Sequence, residues 1–313
     1  MITVFTHPDC LAHDAPGGYP EKPERLAGIL ALLGREADFE VVTAIPAADA
    51  EEVVRAVHDE HYLGRFARAV ARGDGLLDSA DNPLSPGTHR AAWGAVAASL
   101  AAADHVAAGA NRVAFAAVRP PGHHAEHAEA MGFCFLNNAA VAAERLRRRG
   151  FDRVAIFDFD VHHGNGTQHL FESRADVFYA STHQSPFYPG TGAAGEVGTG
   201  LGHGTTLNVP LPAGTGDADL LAAVDERILP ALAAFAPEVL VLSAGFDAWA
   251  GDPLGGFRVS LEGFAELGRR LGSFAREHCR GRVLALLEGG YDIPRLPELV
   301  TAHLRGLAAG VAP

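Results

Sequence analysis

No uninterrupted apolar run in the chain approaches the ~20 residues that a membrane-spanning helix needs, although apolar residues make up 48% of it. That apolar content is available for internal packing, and no membrane partner is expected. Cysteine is scarce, with Cys10, Cys134 and Cys279 widely spaced in 313 residues. An odd, scattered set excludes a disulfide framework and fits a reducing compartment. The opening residues, MITVFTHPDC, lack a basic segment leading into a long apolar core with a small-residue cleavage site. The expected location is the cytoplasm.

Positive charge is also short. Aspartate and glutamate number 38 against 25 lysines and arginines, a formal net charge of −13, and lysine occurs once, at Lys22. Such a chain lacks the basic face that neutralises phosphates, so nucleic acid is not an expected partner, whereas a cationic substrate is compatible with it.

What the chain does have is a regular alternation of apolar runs and helical patterns. Strands are expected at ITVFTH near the start, RVAFAAV (112–118), RVAIFDF (153–159), VFYAST (177–182), TLNVPL (206–211), VLVLSAG (239–245) and RVLALLEG (282–289). Helices are expected at about 50–72, 87–109, 138–149, 217–235, 261–279 and 296–309, several opening on proline or a capping residue. Near-continuous apolar strands separated by helices imply a mostly parallel sheet covered on both faces. With no repeat and no low-complexity linker, one domain over 1–313 is expected.

Glycine- and proline-rich stretches follow the strands, at 119–138, 183–204 and 246–257, with LEGGYD at 287–292. Ligands of open α/β sheets bind beyond the carboxyl ends of strands, so these loops are expected to share one crevice. IFDFDVHHGNGTQHLF (156–171) runs an apolar strand straight into polarity. Asp158, Asp160 and His162 stand at i, i+2 and i+4, on one side of a strand end if the extended form persists. A structural alternative is an aspartate capping the helix that starts near Gly166. Grouped, such residues answer the cost of burying unpaired carboxylates by sharing a metal ion. A further ligand, Asp247, ends another buried strand in SAGFDAWAGDP. Two carboxylates and an imidazole leave a position open for water and substrate, as catalytic zinc requires. His123 and His124, in PPGHHAE, offer a base that is not a ligand. Tyr291 offers a protonated phenol for a developing oxyanion.

Beyond these single features, PEKPERL, SPGTHRAA, RPPGHHAE, GFCFLNN, DFDVHHGNGTQ, PGTG, SAGFDA, GDPLGG and LEGGY occur in order over nearly the whole chain. In this the chain resembles the zinc-dependent histone deacetylase family, including its bacterial amidohydrolase and acetylpolyamine amidohydrolase members. The resemblance implies a three-layer α/β/α, arginase-like fold and hydrolysis of the acetyl amide of acetyl-lysine or a similar acylated amine. It implies Asp160, His162 and Asp247 as zinc ligands, His123 and His124 as paired catalytic histidines, and Tyr291 as oxyanion donor. Asp158 would orient His123 and, with Ser181, hold a structural monovalent cation such as potassium. Phe133 and Tyr188 would wall the acyl channel, with Leu254 at its rim. Asn165 matches the class II-like branch, in which an amide orients the second histidine. Alternatives are an acetylpolyamine amidohydrolase, a binuclear manganese ureohydrolase with Asp252 as a further carboxylate, and a non-catalytic acyl-lysine binder. A homo-oligomer is compatible with all of them, and iron(II) with the same ligands.

Overall fold

The computed structural model describes residues 1–110 and 112–312; positions 111 and 313 of the expected domain lie outside the described residues. Strand β1 (Ile2–Thr6) leads through helix α1 (Pro23–Leu33) to β2 (Phe39–Thr43), and α2 (Ala50–Arg55) and α3 (Glu60–Arg72) precede a hairpin of β3 (Leu76–Leu77) and β4 (Ser79–Pro83). There follow α4 (Thr88–Ala107), β5 (Val113–Ala116), α5 (Asn138–Arg148), β6 (Val154–Asp158), α6 (Asn165–Phe171), β7 (Val177–Gln184) and β8 (Thr206–Leu211). The chain closes with α7 (Asp217–Ala223), α8 (Leu229–Phe235), β9 (Val239–Ala244), α9 (Leu261–His278), β10 (Val283–Leu287) and α10 (Leu296–Val311).

Eight strands form one sheet in the order β2-β1-β5-β10-β9-β6-β7-β8, and every neighbouring pair is parallel. The central strands β5, β10, β9 and β6 are buried along their whole length, which is why they read as continuous apolar runs. Helices α4 and α5 pack together and onto strands β5, β6 and β9, while α9, α10 and α1 form a second packed group. The result is the expected three-layer α/β/α arrangement, and the four adjacent central strands deliver their carboxyl ends to one place. No helix among the described residues is long and apolar enough to cross a membrane.

The helix expected over 50–72 is two helices. Asp59 accepts from the N–H groups of His61 and Tyr62 and starts α3 afresh, as an aspartate N-cap does. The stretch 217–235 is likewise divided by a π-helical turn, Val224–Ile228, just before Pro230, which has no N–H for the regular ladder. Helix α1, the half-exposed edge strand β2 and the hairpin β3–β4 are additions to the sequence-based expectation.

Candidate active site

The centre is built where β6, β9 and β10 end side by side. Asp158 is the last residue of β6 and pairs in register with Ser181 on β7 and Ser243 on β9. Its Oδ1 accepts from the N–H of Asp160 (3.1 Å) and so closes the turn that follows. No aspartate caps α6; its N-cap is Gly164, without a side-chain bond. Asp160, His162 and Asp247 each present a ligand atom within 4.8 Å of the others. His162 Nδ1 lies 3.0 Å from Asp160 Oδ1 and 3.2 Å from Asp247 Oδ2. Both carboxylates are fully buried. The glycines of SAGFDA and LEGGY have a steric reason here: a Cβ at Gly245 would overlap the Asp160 carboxylate, and one at Gly289 would overlap both carboxylates.

The electrostatics of the trio ask for a cation. Burial raises Asp247 and the neighbouring charge of Asp160 raises it further, to about 7. Burial disfavours a charged Asp160 too, but His123 and His162 outweigh it and hold Asp160 below the ordinary carboxylate range. Asp247 Oδ1 accepts from the N–H of Val161 (2.9 Å), while the buried Oδ2 has no hydrogen bond. Two carboxylates and an imidazole converging on one point, with Asp247 Oδ2 met only by the 3.2 Å approach of His162 Nδ1, fit a divalent ion of the zinc type. The sulfur donors that would quench its Lewis acidity are absent from the trio.

His123 and His124 lie against each other, ring centroids 4.0 Å apart, yet their Nδ1 atoms go to different partners. His123 Nδ1 meets Asp158 Oδ2 at 3.0 Å and His124 Nδ1 meets Asn165 Oδ1 at 2.7 Å. Burial alone would depress His123, but Asp158 and Asp160 outweigh it and raise it to about 10. Burial drives His124 well below its ordinary range, helped by the charges of His123 and His162; the Asn165 bond pulls weakly the other way. The two imidazoles are thus pushed in opposite directions, His123 toward its charged form and His124 toward its neutral one. Glu288 fixes the backbone carrying them, its Oε2 accepting from the N–H groups of Gly122 (2.6 Å) and His123 (3.1 Å).

Above this floor is a cavity of about 310 Å³ lined by Asp81, His124, Gly132, Phe133, His162, Phe187, Tyr188, Leu254 and Tyr291. Phe133 takes a left-handed φ of 69°, held by its N–H to Asn82 Oδ1 (2.8 Å), a conformation that non-glycine residues keep only where the surroundings impose it. Tyr291 is buried, its ring 6.0 Å from Phe133 and 4.7 Å from the Arg25 guanidinium carbon. Burial raises its phenol well above the usual range, so it stays protonated and able to donate. Leu254 is half-buried at the rim. Asp252 is not free to bridge a second metal or to greet a cation: Oδ2 accepts from the N–H groups of Tyr291 (2.6 Å) and Asp292 (3.2 Å), and Oδ1 from that of Leu254 (2.9 Å). Ser181 is buried beside Asp158, its hydroxyl 2.9 Å from His183 Nδ1.

Sequence reasoning missed Phe187, which stacks on His162 at 5.2 Å, and Asp81, which takes a hydrogen bond from the Tyr188 hydroxyl at 2.8 Å across the mouth. Phe187 had a signal in its place beside Tyr188. Asp81 had none, because the hairpin that delivers it was not legible.

The histone deacetylase domain matches residues 19–307. The chain is 40% identical over 305 residues to a histone deacetylase-like amidohydrolase of Pseudomonas aeruginosa, covering 95% of this chain and 80% of that one. It is 37% identical to an acetylpolyamine amidohydrolase of Mycoplana ramosa over 92% of both chains. The crystal structure of an acetylpolyamine aminohydrolase from Burkholderia pseudomallei superposes with a TM-score of 0.91 at 36% identity, over 99% of both chains. A domain match over most of the length, on this fold, makes the chain a member of the histone deacetylase family.

Proposed function

We propose that the protein hydrolyses the acetyl amide of acetyl-lysine, or of similarly accessible acyl-amines, with acetylpolyamines as second choice, using one zinc ion held by Asp160, His162 and Asp247. The observation that carries this is the pair of imidazoles against the carboxylate trio, one Nδ1 anchored to a carboxylate and the other to a neutral amide, at the foot of an aromatic cavity. A non-catalytic binder has no use for that asymmetry. Asp252 is committed to backbone N–H groups, which speaks against a second metal.

Zinc at the trio would supply a Lewis acid that polarises the acetyl carbonyl. His124, neutral with Nδ1–H on Asn165, takes a proton on Nε2 from the attacking water and returns it to the departing amine. Tyr291 donates from its phenol to the oxygen that becomes negative as the carbonyl carbon turns tetrahedral. His123, paired with Asp158, keeps a positive charge beside that oxygen. Phe133, Phe187 and Tyr188 exclude water from the acyl stem, Leu254 offers the rim an apolar contact, and the carboxylate at the mouth, Asp81, is already engaged by the Tyr188 hydroxyl and the Gly132 N–H. Asp158 and Ser181, side by side on β6 and β7, would hold a potassium ion that stiffens the floor. The chain is read as one catalytic domain acting in the cytoplasm, in line with three buried free cysteines.

The test is kcat/KM of the zinc-loaded enzyme on a panel of acetyl-lysine peptides and acetylated polyamines. Turnover of acetyl-lysine amides is expected to lead. Values at least ~10-fold higher for acetylputrescine or acetylspermidine, a difference of ~1.4 kcal/mol in transition-state stabilisation, reverse the substrate order; no turnover of any acetyl amide overturns the reading.

A further inference from the structure

We infer that Glu126 is a positioning residue that sets the tautomer of His124 by fixing which way the Asn165 amide faces. The inference rests on the reading of His124 as the base and names a group that reading does not contain.

An asparagine side chain offers an acceptor at one end and two donors at the other, and its orientation is decided by its neighbours. Asn165 Nδ2 donates to Glu126 Oε1 (2.5 Å) and lies 3.4 Å from the thioether sulfur of Met131. Neither neighbour has a proton to give. Turned over, the amide would set its oxygen against a carboxylate and a sulfur, losing a charge-assisted hydrogen bond and gaining repulsion. Oδ1 therefore faces His124, which must present Nδ1–H to it at 2.7 Å. A neutral imidazole with its proton on Nδ1 has its lone pair on Nε2, the atom needed to take a proton from water.

Glu126 is itself held in place. Its N–H donates to the carbonyl of Glu129 (2.9 Å), and its carbonyl accepts from His58 Nδ1 (2.9 Å). The ring of His58 is oriented in turn by the N–H of Asn137, which donates to Nε2 at 2.9 Å. On the solvent side His169 Nδ1 lies 2.9 Å from Glu126 Oε1. A chain of hydrogen bonds thus runs from a partly exposed histidine through Glu126 and Asn165 to His124, and its direction is dictated by the one member that can only accept.

Removing Glu126 leaves the amide free to turn. Its NH₂ then faces Nδ1, the proton moves to Nε2, and the base is lost. A carboxylate at position 165 has two equivalent acceptors and needs no such instruction. In zinc-loaded enzyme, Glu126→Ala is expected to lower kcat by ~10–100-fold, the usual cost of losing an outer-shell partner, with KM little changed. Glu126→Gln, which keeps an acceptor, is expected to retain most of kcat. Adding Asn165→Asp to Glu126→Ala is expected to restore part of the loss. The direct readout is the ¹⁵N spectrum of histidine-labelled protein, with the His124 signals identified by their absence from His124→Ala. Wild type is expected to show a pyridine-like Nε2 and Glu126→Ala a pyrrole-like Nε2. The inference is overturned if Glu126→Ala keeps the wild-type tautomer, or if its kcat loss persists undiminished in the double variant. Should wild type turn over no acetyl amide, the tautomer spectra still decide the question, because they do not depend on the substrate.

Discussion

His303→Met should make the protein less sensitive to acid, and the size of the effect follows from where His303 sits. The residue lies on α10, fully buried between Phe159 and Phe246, with ring centroids 4.9 and 5.9 Å away. Its Nδ1 donates to the carbonyl of Phe264 at 3.1 Å, and its Nε2 has no partner. Adding a proton would therefore bury a charge with nothing to receive it, and burial lowers this histidine to about 4 from 6.5. Between those values the unfolded chain binds a proton that the folded chain refuses, so stability present above pH 6.5 is lost as the pH falls toward 4. At pH 5 the two values give ~2 kcal/mol lost relative to pH 7. With ~2.1 cal/mol/K per residue of unfolding entropy over this length, that is about 3 °C in Tm. Methionine cannot titrate, though it removes the side-chain hydrogen bond to the Phe264 carbonyl, which keeps its place in the α9 ladder, at a cost of ~0.5–1.5 kcal/mol at every pH. The variant should melt below wild type at pH 7 and close about 3 °C of that gap at pH 5. Comparing the two proteins at each pH cancels other acid-labile terms, including metal release and the buried His58. A gap of the same width at both pH values would refute the reasoning.

Two predictions concern the centre itself. Asp247→Asn keeps the shape and removes one of two buried like charges, so zinc content should fall far below one per chain while the chelated protein melts at or above the chelated wild type; retained stoichiometric zinc removes Asp247 from the ligand set. Tyr291→Phe removes one hydrogen-bond donor and should reduce kcat by ~10²–10³ with zinc content unchanged, whereas a wild-type kcat moves the oxyanion role to another group.

Much of the fold was legible because parallel strands buried on both faces have little choice of residue. VAFA, VAIFD, VLVLSA and VLALL are short apolar runs bounded by polar or glycine-containing turns, and each is a central strand. The edge strand β2, FEVVT, has mostly exposed or half-exposed positions and carries no such pattern, since an edge needs only part of one face covered. The break between α2 and α3 turns on one capping aspartate inside a stretch whose apolar periodicity runs on, so periodicity alone joins them. Helix α1 begins with a proline at its first position inside a segment otherwise noticed as a motif, and its burial against α10 is a tertiary fact.

The site divides along the same physical line. Asp158, Asp160, His162, Asp247 and Tyr291 could be found because each sits where an apolar strand stops, and a buried charge at a strand end demands an explanation by itself. Asp81 and Glu126 could not, because a carboxylate on a surface segment demands none; what each does is decided by a partner 107 or 39 positions away. The same asymmetry holds within the histidine pair. The sequence shows two adjacent imidazoles, and they are pushed in opposite directions only when the fold buries both, sets Asp158 and Asp160 against His123, and leaves His124 beside the charges of His123 and His162 with only an amide at its Nδ1. The amide by itself is ambiguous, since either end can face the ring. In the proposed reading the ambiguity is removed one step further out, by Glu126 at the other end of the amide, and the tautomer of the proposed base would then depend on a residue whose own type carries no signal in the chain.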